Sequence, residues 1–197
     1  MKIKIVDLEA KLNKKIKRNF VSIGVDTATT TGIGFISTDK TYITIDWAFI
    51  KFETNRIQDL YKQMYIEFGK FIDKNVDCCV VEDVFLGMNP GVTIKLARFG
   101  GLVMAQAINH GVHFETIGAK SSRAKFFKLD SKKYKGKTKK AVADYLISLG
   151  INIDEDNCAD GVILALLGVC ENIDFRTKKE IAKANKRKRN EKKKNRK

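Results

Sequence analysis

The sequence predicts an α/β domain in which helices flank a mixed five-stranded sheet. Two observations predict it. Short apolar runs bounded by turn residues alternate with longer stretches of helical spacing, and the first three runs follow one another with no helix between them. Consecutive hairpin strands followed by alternating strands and helices are typical of a mixed sheet. The 197 residues are 44% hydrophobic, enough for one domain with a buried core plus extensions.

Five apolar runs are the predicted strands. The first three are joined by short connections, and Thr38-Asp39-Lys40 has the composition of a hairpin turn between the second and the third. The fourth contains the adjacent pair Cys78-Cys79, which we expect to lie in the core. The predicted strands are residues 20–25, 32–37, 42–52, 76–82 and 112–117.

Four helices complete the predicted domain. In the first, apolar side chains from Ile57 to Ile72 recur at helical spacing. The second is rich in small residues and contains Gly100-Gly101, which permits close packing against either the sheet or a partner subunit. Gly150 ends the third helix. The predicted helices are residues 56–74, 91–109, 138–149 and 156–170.

Positive charge is concentrated at the carboxyl-terminal end. Residues 176–197 hold 13 Lys or Arg and two Glu, and so carry +11 of the formal net charge of +15. This tail is expected to be disordered or a frayed helix and to bind a polyanion, because Lys and Arg release counterions from phosphates. The alternatives are a solubilising end or, less favoured, an arm for an acidic membrane surface. We divide the chain into a basic extension (1–19), a core domain (20–175) and this tail.

Cysteine usage and hydropathy indicate a soluble, reduced, intracellular protein. The four cysteines form no CxxC pair and no zinc-type spacing with His. The first 19 residues are charged and lack the apolar block of a secretion signal. No apolar stretch reaches the roughly 20 residues that cross a bilayer. We therefore expect a cytoplasmic protein, not secreted and without a membrane partner. A structural role is expected for His110 and His113, which have no ligand partners nearby in the sequence.

Two acidic side chains come at the ends of predicted strands. Asp26 closes the first strand, in the run Val21 to Asp26, and Glu82 closes the fourth after four apolar residues. If these strands are parallel neighbours, both carboxylates emerge at the same sheet edge, where ligands bind in open α/β sheets. The alternative for Glu82 is a solvent-facing residue at a strand end.

A third acidic cluster opens the last predicted helix. Asp156 and Asp160 are four residues apart and share one helix face, with Asn157 close to it. Grouped carboxylates stay ionised only with cations nearby, and their hard oxygens suit Mg²⁺ or Mn²⁺. Two such ions about 4 Å apart can hydrolyse a phosphodiester. The alternative for Asp156 is a helix N-cap. Asp160 lies one turn in, within an otherwise apolar helix, and is the stronger candidate.

Taken together, these segments resemble the RuvC family of Holliday junction resolvases, within the ribonuclease H-like superfamily. The resemblance implies a ribonuclease H-like fold and a homodimer that nicks two opposed strands of a four-way DNA junction. It spans residues 20 to about 170. The similar stretches are Ile23-Gly24-Val25-Asp26, Thr31-Gly32-Ile33-Gly34, Val81-Glu82-Asp83-Val84-Phe85, Lys95-Leu96-Ala97-Arg98-Phe99-Gly100-Gly101 and Ala159-Asp160-Gly161-Val162-Ile163-Leu164-Ala165.

The resemblance also implies functional residues. Asp26, Glu82 and Asp160 match the metal-binding acids of the family. Its fourth acid commonly lies three residues before the last Asp, which here is Asn157, while Asp156 lies four before. We take Asp156 as the ligand and Asn157 as the alternative.

Further positions match residues that the family uses on DNA. Phe85 matches an aromatic near the junction crossover, with a core residue as the alternative. Arg123 and Lys139 lie near basic positions of the family close to the scissile phosphate, and residues 126–135 between them resemble an insertion. A basic loop entering a helix is expected to hold backbone phosphates, with a solvated charged loop as the alternative. Its lysines are Lys132, Lys133, Lys135, Lys137, Lys139 and Lys140.

The resulting hypothesis is an Mg²⁺-dependent, structure-selective DNA endonuclease, with Mn²⁺ as a substitute, that resolves Holliday junctions in recombination, repair or phage DNA processing. Its setting would be a bacterial or phage-infected cell. A nuclease acting on RNA or other branched DNA is a close alternative, because substrate choice depends on surface shape rather than on fold. A non-catalytic nucleic-acid-binding module is another. A nucleotide-binding protein of the actin-like and sugar kinase group fits less well, since the chain is short and has no second phosphate loop.

Overall fold

The computed structural model describes residues 1–54, 56–84, 89–118, 121–123, 138–155 and 157–176. Strands and helices alternate along these residues after an initial run of hairpins, as the apolar pattern predicts. The strands are β1 (Lys2–Lys4), β2 (Phe20–Asp26), β3 (Thr30–Thr38), β4 (Tyr42–Lys51), β5 (Cys78–Asp83) and β6 (His113–Gly118). The helices are α1 (Ile5–Leu12), α2 (Ile57–Gly69), α3 (Pro90–Asn109), α4 (Thr138–Leu149) and α5 (Ala159–Val169).

All six strands form one mixed sheet, in the order β1-β4-β3-β2-β5-β6. The pairs β1–β4, β4–β3 and β3–β2 are antiparallel, and the pairs β2–β5 and β5–β6 are parallel. The mixed sheet flanked by helices is confirmed. In the described part of the chain it has six strands rather than five, because the three-residue β1 pairs with the edge of β4 and is too short to give an apolar period in the sequence.

The two faces of the sheet carry separate cores, and β5 shows the alternation that divides them. Cys78 and Val80 point into a cluster with α1, α4 and α5, whereas Cys79 and Val81 point into a cluster with α2 and α3. Both cysteines are buried free thiols, as predicted. Successive side chains of a strand face opposite sides, so a sheet covered on both faces needs apolar residues at every position of its central strands.

The first 19 residues take part in the domain core. Leu8 of α1 is fully buried among residues of α4 and α5, and Ile5 and Leu12 join it. Asn13 adopts a left-handed conformation, with φ of 51°, and ends the helix. Glu9 of α1 accepts hydrogen bonds from two residues that follow the helix, from the backbone N–H of Ile16 at 2.9 Å and from Arg18 at 3.1 Å. The segment is therefore folded against the sheet.

Two helix boundaries differ from the predicted ones by more than one residue. The helix predicted over 56–74 ends at Gly69, where the backbone N–H groups of Lys70 and Phe71 turn back to the carbonyls three residues earlier. Asp73 then accepts a hydrogen bond from the N–H of Asn75, which fixes a turn that the apolar pattern does not reveal. The helix predicted over 156–170 begins at Ala159. No helix in the described part of the chain is long and apolar enough to cross a membrane.

Candidate active site

The site is assembled around α5, which lies directly on the backbone of β2 and β3. A Cβ added to Gly24 would collide with the carbonyl oxygen of Gly161, and one added to Gly34 would stand 2.5 Å from the backbone N of Val162. Real Cβ atoms do not approach this closely, so only glycine lets the helix rest on the sheet here. Every residue of α5 except Asp160 is buried. The helix thus delivers a single carboxylate to the sheet edge.

Asp26 and Glu82 come from adjacent parallel strands, as their strand-end positions predict. Val25 of β2 pairs in register with Val81 of β5, so the residues that follow, Asp26 and Glu82, leave the sheet side by side. Both are partly buried. The carboxyl ends of neighbouring parallel strands meet at one edge, which is where functional groups collect in this class of fold.

Burial and mutual repulsion keep these carboxyl groups from ionising readily. Burial, followed by the charge of Asp160, raises the pKa of Asp26 to about 6. Burial, followed by the charges of Asp26 and Asp160, raises the pKa of Glu82 to about 8. A hydrogen bond between the two groups lowers the pKa of Asp26 and raises that of Glu82. Such a pair holds a proton unless a cation neutralises it.

Asp160 is held by an arginine. The Nε of Arg123 donates to Oδ1 of Asp160 at 3.2 Å, and its Nη2 donates to Oδ2 at 2.8 Å. The side chains are only 19% and 15% exposed. Burial alone would lower the pKa of Arg123, but the hydrogen bond to Asp160 and the surrounding carboxylates raise it, so the guanidinium stays charged. Sequence reasoning placed Arg123 near the phosphate but did not foresee this pair.

The donor set fits a hard divalent cation. Over the described residues, no group of three or more His, Cys, Asp or Glu side chains already has the arrangement of a metal site. Arg123 forms an ion pair with Asp160, and the carboxyl groups of Asp26 and Glu82 are hydrogen-bonded to each other. Nevertheless, two partly buried carboxyls with raised pKa values are groups that a cation would stabilise, and carboxylate oxygens are the ligands that Mg²⁺ and Mn²⁺ prefer.

The fourth ligand position is only partly described. Asp156 lies outside the described residues. The side-chain amide of Asn157 donates to Oε1 of Glu155 at 2.7 Å, and the backbone of Asn157 crosses above Gly32 of β3. Glu155, which was not among the predicted site residues, is thus the hydrogen-bond partner of Asn157.

The predicted DNA-contacting residues fall into two groups. Lys139 and Lys140 are exposed in the first turn of α4, and the charge of Lys139 lowers the pKa of Asp26, which places it near the carboxyl groups. The remaining predicted DNA contacts lie outside the described residues: Phe85, Lys132, Lys133, Lys135 and Lys137.

His113, for which a structural role is expected, forms a hydrogen bond with Glu115 at 3.0 Å on the surface of β6.

Comparison with known proteins identifies the family. The model of the family "Crossover junction endodeoxyribonuclease RuvC" matches residues 22–168, which include Asp26, Glu82 and Asp160. The chain belongs to the RuvC family. Members of the RuvC family are crossover junction endodeoxyribonucleases that resolve Holliday junctions, and they depend on a metal. The resemblance predicted from the sequence is therefore confirmed.

Solved RuvC structures share the fold. The Thermus thermophilus RuvC in complex with a Holliday junction substrate is 16% identical, with a TM-score of 0.59, covering 75% of this chain and 91% of that one. A second structure of Thermus thermophilus RuvC is also 16% identical, with a TM-score of 0.59, covering 77% of this chain and 98% of that one. A search of curated proteins gave no match.

Proposed function

We propose that this RuvC-family protein is an Mg²⁺-dependent endonuclease that cuts four-way DNA junctions by paired nicks in opposed strands. The observation that carries the proposal is the grouping of Asp26, Glu82 and Asp160 at a single sheet edge, where burial and the charge of Asp160 raise the pKa values of Asp26 and Glu82. Three acids from three distant parts of the sequence have no structural need to meet. Ionising Asp26 and Glu82 side by side costs free energy even with Arg123 on Asp160, which is expected of a binding site rather than of a core.

Asp26, Glu82 and Asp160 would hold the metal, with Asp156 as the proposed fourth ligand and Asn157 as the alternative. When bound, divalent ions activate water and stabilise the leaving 3′ oxygen of a phosphodiester. We favour Mg²⁺, with Mn²⁺ as a substitute, because the proposed ligands offer only oxygen atoms.

Basic residues of the chain would bind and orient the scissile strand. Arg123 already lies among the clustered carboxyl groups, where it pairs with Asp160. Lys139 is close enough to lower the pKa of Asp26. A guanidinium holds a phosphate through two parallel hydrogen bonds, whereas an ammonium acts as a point charge. We propose that Arg123 and Lys139 fix the phosphate and that Phe85 stacks on a base near the junction crossover. The neighbouring backbone would be contacted by Lys132, Lys133, Lys135, Lys137 and Lys140.

The proposed assembly is a homodimer on branched DNA. Two opposed nicks require two sites, which a dimer supplies from one kind of chain. The Thermus thermophilus RuvC was solved with a Holliday junction substrate, and the shared fold supports the same class of DNA here. The tail, residues 176–197, would add affinity for phosphates independent of sequence. The proposed setting is the cytoplasm of a bacterial or phage-infected cell.

Strand mapping on a synthetic four-way junction tests this function. The purified protein with Mg²⁺ is expected to place one nick in each of two opposed strands, at symmetric positions, in preference to cutting a linear duplex of the same sequence. Cleavage of an RNA–DNA hybrid or of a three-way junction at an equal rate would instead favour the broader nuclease. Intact DNA with both Mg²⁺ and Mn²⁺ would favour a non-catalytic binding module.

A further inference from the structure

The candidate site contains a cation that belongs to the chain. Arg123 engages both carboxylate oxygens of Asp160, at 3.2 and 2.8 Å, in a forked geometry. Both side chains are largely shielded from water, at 19% and 15% exposure. Asp160 is also the acid that α5 delivers to the edge, and it influences the ionisation of Asp26 and Glu82. The guanidinium thus supplies positive charge at one of the carboxylates that would hold the metal.

Arg123 and a divalent ion cannot both use Asp160 in this arrangement without cost. The fork takes the lone pairs of Asp160 that face it, and the guanidinium repels a second cation in a site where water screens charges weakly. A guanidinium does not lose its proton, so it cannot become neutral to make room. It must instead move to another anion, and DNA offers a phosphate that accepts the same two hydrogen bonds.

We infer that Arg123 is a resident counter-cation that competes with the metal for Asp160 and that the DNA phosphate relieves this competition. The inference rests on the proposed function, and it concerns how the same site is regulated. Metal would bind weakly to the free protein and more tightly once DNA draws Arg123 away. Because coupling between two ligands is reciprocal, the metal would also raise the affinity for DNA. Metal loading is thereby restricted to the complex with substrate.

Mn²⁺ binding measured by electron paramagnetic resonance of the free ion tests this competition without DNA. Arg123→Gln removes the fork and is expected to bind Mn²⁺ about five- to tenfold more tightly than the wild type. Lys139→Gln is the matched control, because it also removes one positive charge near Asp26 but has no hydrogen bond to Asp160. Its exposed charge is screened by solvent, so a much smaller gain is expected. Arg123→Lys keeps the charge without the fork and is expected to lie between wild type and Arg123→Gln.

The same titration with a non-cleavable phosphorothioate junction tests the second half of the inference. Adding the junction is expected to tighten Mn²⁺ binding in the wild type several times more than in Arg123→Gln. Equal or weaker Mn²⁺ binding by folded Arg123→Gln, without DNA, would overturn the inference. If circular dichroism shows that this variant is unfolded, Mn²⁺ binding by Arg123→Lys is the test, and binding no tighter than that of the wild type would overturn the inference. Nicking of the junction by the wild type is scored separately, so a failed competition leaves the proposed function standing.

Discussion

Gly34 of β3 lies so close to Val162 of α5 that a Cβ at residue 34 would be 2.5 Å from both the N and the Cα of Val162. This backbone-to-backbone contact fixes how deep the helix sits on the sheet. Asp160 lies two residues before Val162, in the first turn of the same helix. The position of one metal-binding candidate is therefore set by a residue that has no side chain.

Gly34→Ala is expected to destabilise the protein and to reduce junction cleavage, because α5 must shift away from β3 to admit the methyl group. Overpacking a core costs about 1–3 kcal/mol. Chemical denaturation and a cleavage assay measure both effects. Gly101→Ala is the control: a Cβ there meets nothing within 4 Å, and alanine in an exposed helix position is neutral or slightly stabilising. Equal stability of the two variants would contradict the close-packing account.

The stability of the metal-free protein is expected to fall as the pH rises from 5 to 9. The folded state raises the pKa of Glu82 from 4.5 to about 8, mainly through burial. Between these values the folded state binds more protons than the unfolded one, so the stabilisation present below pH 4.5 is lost as the pH rises through 8. Glu82→Gln should remove most of this decline and add stability on the order of 2 kcal/mol at pH 9.

Urea unfolding in EDTA across this pH range measures that effect. Asp83→Asn is the matched control, since it removes an acid from the next position of β5, where the side chain is exposed. This control is expected to keep the pH slope of the wild type. If the free energy of unfolding of Glu82→Gln depends on pH as steeply as that of the wild type, the raised pKa of Glu82 is not the cause of the decline.

Leu8→Ala is expected to destabilise the protein by about 2–5 kcal/mol, because Leu8 is fully buried against α4 and α5. Val6→Ala, on the same helix, is the control, since Val6 is 61% exposed. It should change the free energy of unfolding by less than about 0.5 kcal/mol. Similar denaturation midpoints for both variants would mean that residues 1–19 are dispensable for the fold.

Deletion of residues 176–197 is expected to weaken junction binding and to reduce its dependence on salt. The segment carries +11, and each phosphate contact that is lost lowers the slope of log K against log salt by about 1. Gel shifts between about 50 and 200 mM salt measure the slope. An unaltered slope would exclude the tail from DNA binding.

Sequence reasoning located the candidate residues whose positions follow from the order of strands along the chain. It missed a contact that depends on tertiary packing. Asp26 and Glu82 lie at the ends of buried strands, and the parallel pairing of these strands brings them to a common edge. The pair of Arg123 with Asp160 was missed, because it joins residues 37 apart in the chain and depends on where α5 rests. β1 was missed for a different reason: three residues that pair with an existing edge show no apolar period of their own.

Asp26→Asn tests the central claim most directly, since it keeps the shape of the side chain and removes its charge. Cleavage and gel-shift assays on one synthetic four-way junction, with Mg²⁺ and with EDTA, compare this variant with the wild type. We expect the variant to bind the junction as well as the wild type does in EDTA and to lose detectable cleavage with Mg²⁺. Cleavage at the wild-type rate would contradict the assignment of Asp26, and with it the metal site at this sheet edge.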